Sequence, residues 1–261
     1  MSDFEKAIAD LDLELFSKID SQSTEYDKRS FLAIQLAVRK LKPDYNYLEI
    51  GSYLGGSIQP HLLDDRCAHI YSIDKRPEKQ PDERGFDYKY LNNSTERMLE
   101  KLRDVAADRI GKITTIDGDS RSVEPAEIKD DIDLCFIDGE HTDAAVLSDF
   151  EFCLSVLNEN GCIAFHDAQI TYNGLASCVA HLEQNSIAFK AYSLPSIVFV
   201  IEIGDFPVHD EPRVLERLVN NHQSYLYSLQ QNDHYRKFAN KYPFRIVRNF
   251  ISRALGGNVS Q

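Results

Sequence analysis

The sequence predicts an α/β domain whose mostly parallel sheet carries helices on both faces and ends in an antiparallel hairpin. Three observations predict it. Short apolar runs recur at 47–50, 69–73, 113–116, 132–137 and 162–165, with helical stretches between several of them. Each run is followed by glycine or by an acidic or polar residue: Gly51, Asp74, Asp117, Asp138 and the pair His166-Asp167. Unbroken apolar runs suit strands covered on both faces, and alternation with helices makes successive strands parallel neighbours. Such sheets bind ligands at the carboxyl ends of their strands, the edge at which all of these polar residues fall.

The elements follow in order. Phe4, Ala7, Ile8, Leu11, Leu15 and Phe16 recur at helical spacing and predict a helix over 3–19, followed by a second over 26–41 that Lys42-Pro43-Asp44 stops. The run Tyr47-Leu48-Glu49-Ile50 then enters a turn at Gly51. Residues 75–92 are charged and contain prolines, as a surface loop does. Helices are expected over 94–107, with Asn93 and Glu96 as a capping pair, and over 142–157. The runs 187–193 and 196–203 flank Leu194-Pro195 and predict the terminal hairpin. The organisation expected is N-terminal helices over 1–44, a core over 45–204 and a helical extension with a basic tail over 205–261.

Composition narrows the class. A chain of 261 residues with 43% hydrophobic and 27% charged residues folds as one globular unit rather than staying disordered. Its net charge of -13 argues against non-specific binding to nucleic acid, which rests on Lys and Arg neutralising phosphates. No acidic residue follows Asp233, whereas Arg236, Lys237, Lys241, Arg245, Arg248 and Arg253 do, leaving the tail at +6. Within it, 244–255 reads as a basic amphipathic helix that packs on the domain, on a second copy of the chain or on a membrane surface. The five cysteines are odd in number and lack CxxC spacing, which suits reduced core thiols. With no leader-like segment and no apolar run of about 18 residues, the expected setting is the cytoplasm.

The most informative stretch is Glu49-Ile50-Gly51-Ser52-Tyr53-Leu54-Gly55-Gly56-Ser57. A strand turning through Gly51 brings backbone N–H groups close to a ligand. The spacing is not GxGxxG, and Glu49 beside the turn suits a cationic ligand better than a diphosphate. Asp74, 23 residues after Gly51, stands where an acid accepts both hydroxyls of a ribose. Asp117-Gly118-Asp119-Ser120 would meet an adenine on the neighbouring strand. Taken singly, Gly51 merely turns a loop and Asp74 and Asp119 cap helices; their order after successive strands favours the ligand site.

This ordered set resembles the class I S-adenosylmethionine-dependent methyltransferases, and Glu49-x-Gly51-x-x-x-Gly55-x-Ser57 is similar to the first motif of metal-dependent small-molecule O-methyltransferases. The resemblance covers about residues 45–203. It implies a Rossmann-like fold with a seven-stranded sheet. It also implies that Gly51 and Gly55 approach the methionine part of the cofactor, that Asp74 binds ribose, that Asp119 and Ser120 meet adenine, and that Glu49, Ser52, Tyr53, Ser57 and Asp138 belong to the same cofactor site.

At the reacting edge, Asp138 and Asp167 end adjacent predicted strands and can converge on a hard cation, magnesium or manganese, with a nitrogen of His166. His141, three residues after Asp138, is the expected general base, though a histidine there also caps helices. The set Asp138, His141 and Asp167 is similar to that of macrolide-sugar O-methyltransferases of the macrocin type. His166 departs from their acidic pair, and Ala168 from the Asn of catechol-type relatives. The function expected is O-methylation of a small-molecule, sugar or glycan hydroxyl. The alternatives are a dinucleotide or hydroxylase-like enzyme, and a non-catalytic binding protein on the same fold.

Overall fold

The computed structural model describes residues 3–85, 87–239, 241–244, 246–247 and 250. The apolar runs form strands: β1 (Tyr45–Ile50), β2 (Cys67–Asp74), β3 (Lys79–Pro81), β4 (Asp87–Lys89), β5 (Ile113–Asp117), β6 (Ile132–Ile137), β7 (Leu157–Phe165), β8 (Phe189–Ser193), β9 (Phe199–Ile203) and β10 (Asn220–Asn221). The helices are α1 (Asp3–Ala9), α2 (Glu25–Leu41), α3 (Gln59–Leu63), α4 (Thr95–Ala106), α5 (Asp143–Val156), α6 (Tyr172–Gln184), α7 (Pro212–Leu215) and α8 (His222–Ala239).

The main sheet runs β10-β8-β9-β7-β6-β1-β2-β5, a Rossmann-like α/β arrangement. Strands β5, β2, β1, β6 and β7 are parallel, and β9 enters antiparallel between β7 and β8. The sheet therefore has one strand more than the seven expected. The addition, Asn220-Asn221, pairs with Tyr192 and Ser193 and is too short and polar to leave a hydrophobic pattern.

Successive residues of a strand face opposite sides. Leu134 and Phe136 of β6 enter a core with α1, α2 and α3, while Cys135 and Ile137 enter a second with α5 and α6. Burial on both faces is why these strands read as continuous apolar runs. All five cysteines are buried and free, as expected for core thiols.

Local structure departs from the sequence reading at three places. The first helix stops at Ala9, because Leu11 adopts φ +53° and a 3-10 turn over Leu13–Phe16 follows, capped by Asp12. Helical periodicity survives this break, so the pattern hid it. The cap of α4 is Ser94, whose Oγ accepts from Arg97 N; Asn93 instead accepts from Arg76. The 75–92 segment is no plain loop, since β3 and β4 pair as an antiparallel hairpin within it. The basic segment 244–255 lies largely outside the described residues. Among those described, no helix is long and apolar enough to cross a membrane.

A buried ionic network ties the N-terminal helices to the sheet. Arg39 of α2 donates Nε to Asp64 at 2.9 Å and Nη1 and Nη2 to Glu5 of α1 at 2.9 and 2.8 Å, and Gln35 and Tyr45 also donate to Asp64. Burial disfavours the Arg39 charge, but the bonds from Glu5 and Asp64 outweigh it and hold the guanidinium protonated. Removing one member strands the charge of the others, so Arg39→Ala is expected to cost about 3–5 kcal/mol in urea unfolding. An unchanged midpoint would show that α2 is held by packing alone.

Candidate active site

The site begins with a close approach of two strand ends. Gly51 has φ +92°, and a Cβ there would lie 2.2 Å from the carbonyl oxygen of Asp138. Gly51 N donates to Ile73 at 2.9 Å and Asp138 N donates to Ile50 at 2.9 Å, so the turns after β1 and β6 are pressed together. The neighbouring strand end thus requires a glycine at this position. Gly55, with φ +83°, likewise makes room for Leu102 of α4, and Gly56 for Ser21.

Above these turns lies a cleft of about 750 Å³, part of it open to solvent. Gly51, Ser52, Tyr53, Gly56 and Ser57 form one side and Asp138, His141, His166 and Asp167 the floor. Asp20, Ser21, Gln22 and Ser23, with Tyr88, Tyr90 and Ile197, complete the walls. The first-motif loop and the reacting edge therefore share one space.

On the floor, two imidazoles meet three carboxylates. His141 Nε2 is 3.1 Å from Asp167 Oδ2 and 3.8 Å from Asp138 Oδ1. His166 Nδ1 is 3.1 Å from Asp138 Oδ1 and 3.2 Å from Asp167 Oδ2, while its Nε2 faces Asp27 Oδ2 of α2 at 3.6 Å. Burial disfavours the charged imidazole, yet the surrounding carboxylates win and raise His166 well above the usual histidine value. His141 is raised as well, burial being outweighed by Asp138 and Asp167. Burial raises Asp138 and Asp27, but the imidazoles, with Thr24 at Asp27, draw both down to about 2.

The ligand atoms of Asp138, His141 and Asp167 converge within 4.8 Å, and His166 Nδ1 lies against the same two carboxylates. His141 does not cap α5, because Thr142 Oγ1 accepts from Ala145 N in that role. Asp167 holds φ +52°, a left-handed conformation that Asp tolerates better than most residues, and this sets its carboxylate beside His141.

The remaining expected ligands stand off the cleft wall. Glu49 is fully buried, accepts from Tyr47 Oη at 2.5 Å and Ser57 Oγ at 2.6 Å, and is pushed up to about 7 by burial, so it secures the loop from behind. Asp74 is 3% exposed and accepts from Tyr53 N at 2.8 Å and Arg76 N at 2.7 Å. Asp119 accepts from Arg121 N at the start of a 3-10 turn, the capping role, and pairs with Lys75 at 2.9 Å. Ser120 Oγ is bonded to Asp149 of α5.

Sequence reasoning did not single out Asp27, the Asp20–Ser23 wall, or Tyr88 and Tyr90 of the hairpin, although 1–42 and 75–92 are the segments it expects to wall the acceptor. The hairpin is laced to the base: Asp82 bridges His141, Glu83 N donates to His141 O at 2.9 Å, and Glu83 Oε1 accepts from Asp143 N at 2.7 Å. Tyr88 sets its ring at 76° to His141, with centroids 5.4 Å apart. Only the prolines and aromatics within 75–92 hinted at order there.

Comparison with known proteins gives the fold a context. Residues 48–168 match the family described as a methyltransferase domain. No curated protein matches the chain. The O-methyltransferase NovP has a similar structure, with TM-score 0.53 at 12% identity over 76% of this chain and 97% of its own. The calicheamicin methyltransferase CalS11 gives 0.50 at 14%, over 77% and 93%. At these identities the likeness is one of fold. The domain match carries the enzyme class expected from the sequence, an S-adenosylmethionine-dependent methyltransferase.

Two substitutions test this geometry. Gly51→Ala is expected to lower the thermal midpoint by several degrees and to disturb the floor, since its Cβ meets backbone 2.2 Å away. Asp27→Asn is expected to cost about 1–3 kcal/mol at pH 5 to 6. The Asp27 carboxyl is depressed to about 2 in the fold, so its contribution is present above the ordinary carboxylate value and fades as pH falls through about 2. Urea curves for wild type and variant should therefore converge in strong acid; a constant gap would assign the loss to packing.

Proposed function

We propose that the chain transfers a methyl group from S-adenosylmethionine to a hydroxyl of a small molecule, a sugar or glycan hydroxyl by the macrocin-type resemblance, with His141 as general base. The observation that carries this reading is the convergence of Asp138, His141 and Asp167 at the strand edge, beside the loop that opens the methyltransferase-domain match.

The residues present fit the cofactor. The small side chains of Gly51, Ser52, Gly56 and Ser57 leave room along the cleft, and Asp74 stands one strand away. An ionised carboxylate has about four acceptor sites, so Asp74 keeps capacity for ribose hydroxyls beside its bonds from Tyr53 and Arg76. The bound cofactor supplies a methyl group already activated as a sulfonium, so the protein's task is orientation and proton removal. His141 takes the proton from the acceptor hydroxyl, and Asp167 and Asp138 stabilise the imidazolium that results.

The same three side chains fit a divalent ion, since two carboxylates and an imidazole suit Mn2+, and Mg2+ through the oxygens. An ion held there would lower the pKa of the acceptor hydroxyl. His141 Nε2 cannot hold an ion and a proton at once, so chelation separates the two assignments. Turnover that survives EDTA leaves His141 as the base; turnover that is lost and restored by Mn2+ makes it a ligand.

Calorimetric titration with S-adenosylmethionine should show micromolar binding that Asp74→Ala abolishes; no binding by the wild type would remove the methyltransferase reading. His141→Ala should lower kcat by about 10²–10⁴-fold while binding the cofactor as before. Because a base acts when neutral and His141 is raised by its aspartates, kcat should climb with pH through a pKa above the ordinary histidine value. A profile flat from pH 6 to 9 would exclude this imidazole.

A further inference from the structure

Two walls rise above the reacting edge. One is the Asp20–Ser23 segment. Its lead-in is fixed by the buried side chain of Gln59, whose Oε1 accepts from Lys18 N and Ile19 N at 3.1 and 2.9 Å and whose Nε2 donates to Ile19 O and Gly56 O, each at 2.8 Å. The other is the aromatic face of Tyr88 on the hairpin, set edge-on to His141.

The charge of this space is one-sided. Among the described residues lining the cleft are Asp20, Asp138 and Asp167, and none is Lys or Arg. The cations that border it are paired: Lys75 with Asp119 and Glu140 at 2.9 and 3.3 Å, Arg76 with Asp74 at 3.3 Å, and Arg84 with Asp82 at 2.8 Å. The two imidazoles that line it are likewise engaged, His166 by Asp27, Asp138 and Asp167 and His141 by Asp167 and Asp138. Among the described residues, a phosphate entering here finds no unengaged cation and meets carboxylates instead. Short hydroxyl and amide side chains lining one cleft with an aromatic ring suit a molecule with hydroxyls on its rim and a C–H face. Ser21 Oγ, shielded from solvent and without a partner, adds an unmet hydrogen bond at this wall.

We propose that this half of the cleft is the acceptor subsite, taking neutral or amine-bearing polyhydroxylated ring compounds and rejecting phosphorylated ones, with Asp20 as the charge filter and Tyr88 as the stacking surface. The proposal rests on the methyl-transfer reading for the fate of the bound molecule.

Saturation-transfer NMR with methyl glucoside, glucosamine and glucose 6-phosphate, run with and without S-adenosylhomocysteine, tests it. Methyl glucoside and glucosamine should bind saturably and glucose 6-phosphate should not. Asp20→Lys, a change at an exposed position, should reverse the order of glucosamine and glucose 6-phosphate. Tyr88→Ala should weaken both sugars that bind by about tenfold. The proposal is overturned if glucose 6-phosphate binds the wild type as well as methyl glucoside does, if no sugar binds saturably, or if Asp20→Lys leaves the order unchanged. Absence of S-adenosylhomocysteine binding alone would strike the methyl-transfer reading and leave the subsite standing. Matched thermal melts of the variants show that loss of binding is not loss of fold.

Discussion

The reacting edge depends on one contact, the approach of the Gly51 turn to the backbone of Asp138. Two neighbouring parallel strands end here at the same height, and the absence of a single Cβ lets their loops touch. The hydrogen bond from Asp138 N to Ile50 O then fixes where the Asp138 side chain leaves the sheet. His166, whose N–H donates to Ile137 O at 3.0 Å, is placed by the next strand in the same manner. The carboxylates and imidazoles meet because the backbone beneath them has no freedom to stagger.

Placing so many titratable groups together sets burial against charge pairing. Burial favours the neutral form of every member, and at Glu49 and Asp149 it prevails, pushing these acids up to about 7 and about 6. At Asp27 and Asp138 it loses, because an imidazole stands within reach of each. The outcome is a floor on which Asp27 and Asp138 stay ionised and whose histidines hold protons more firmly than in water. An acid in place of His166 would add a further negative charge to three existing carboxylates, a cluster that needs a cation to persist. The histidine provides part of that cation from within the chain.

How much of this was legible in the sequence follows from the range of each interaction. The strands, their order of appearance and the polar residues at their ends are local patterns, and Asp138, His141 and Asp167 could be named from them. Asp27 could not, because in sequence it is one acid in the first turn of a helix with a capping box to explain it; its meeting with His166 spans 139 positions. The break at Leu11 was hidden by the apolar spacing that continues across it. The cap of α4 was misplaced by one residue, since Asn93 and Ser94 are both good caps and tertiary contact with Arg76 decided between them. The glycines were recognised, but not the chain from elsewhere that packs into the space of each missing Cβ.

The hairpin of β3 and β4 does two things with one piece of backbone. It carries Tyr88 into the cleft, and through Asp82 and Glu83 it is stitched to the main chain of His141 and the start of α5. A loop that only walled the cleft could be exchanged among homologues as an independent module. This one cannot be exchanged without re-aiming the imidazole, so transplanting a foreign hairpin should degrade catalysis even where the new wall suits the new molecule. Variation that changes what this fold accepts must then travel with compensating changes around residues 141–143, and the two regions should be swapped together in any attempt to redesign it.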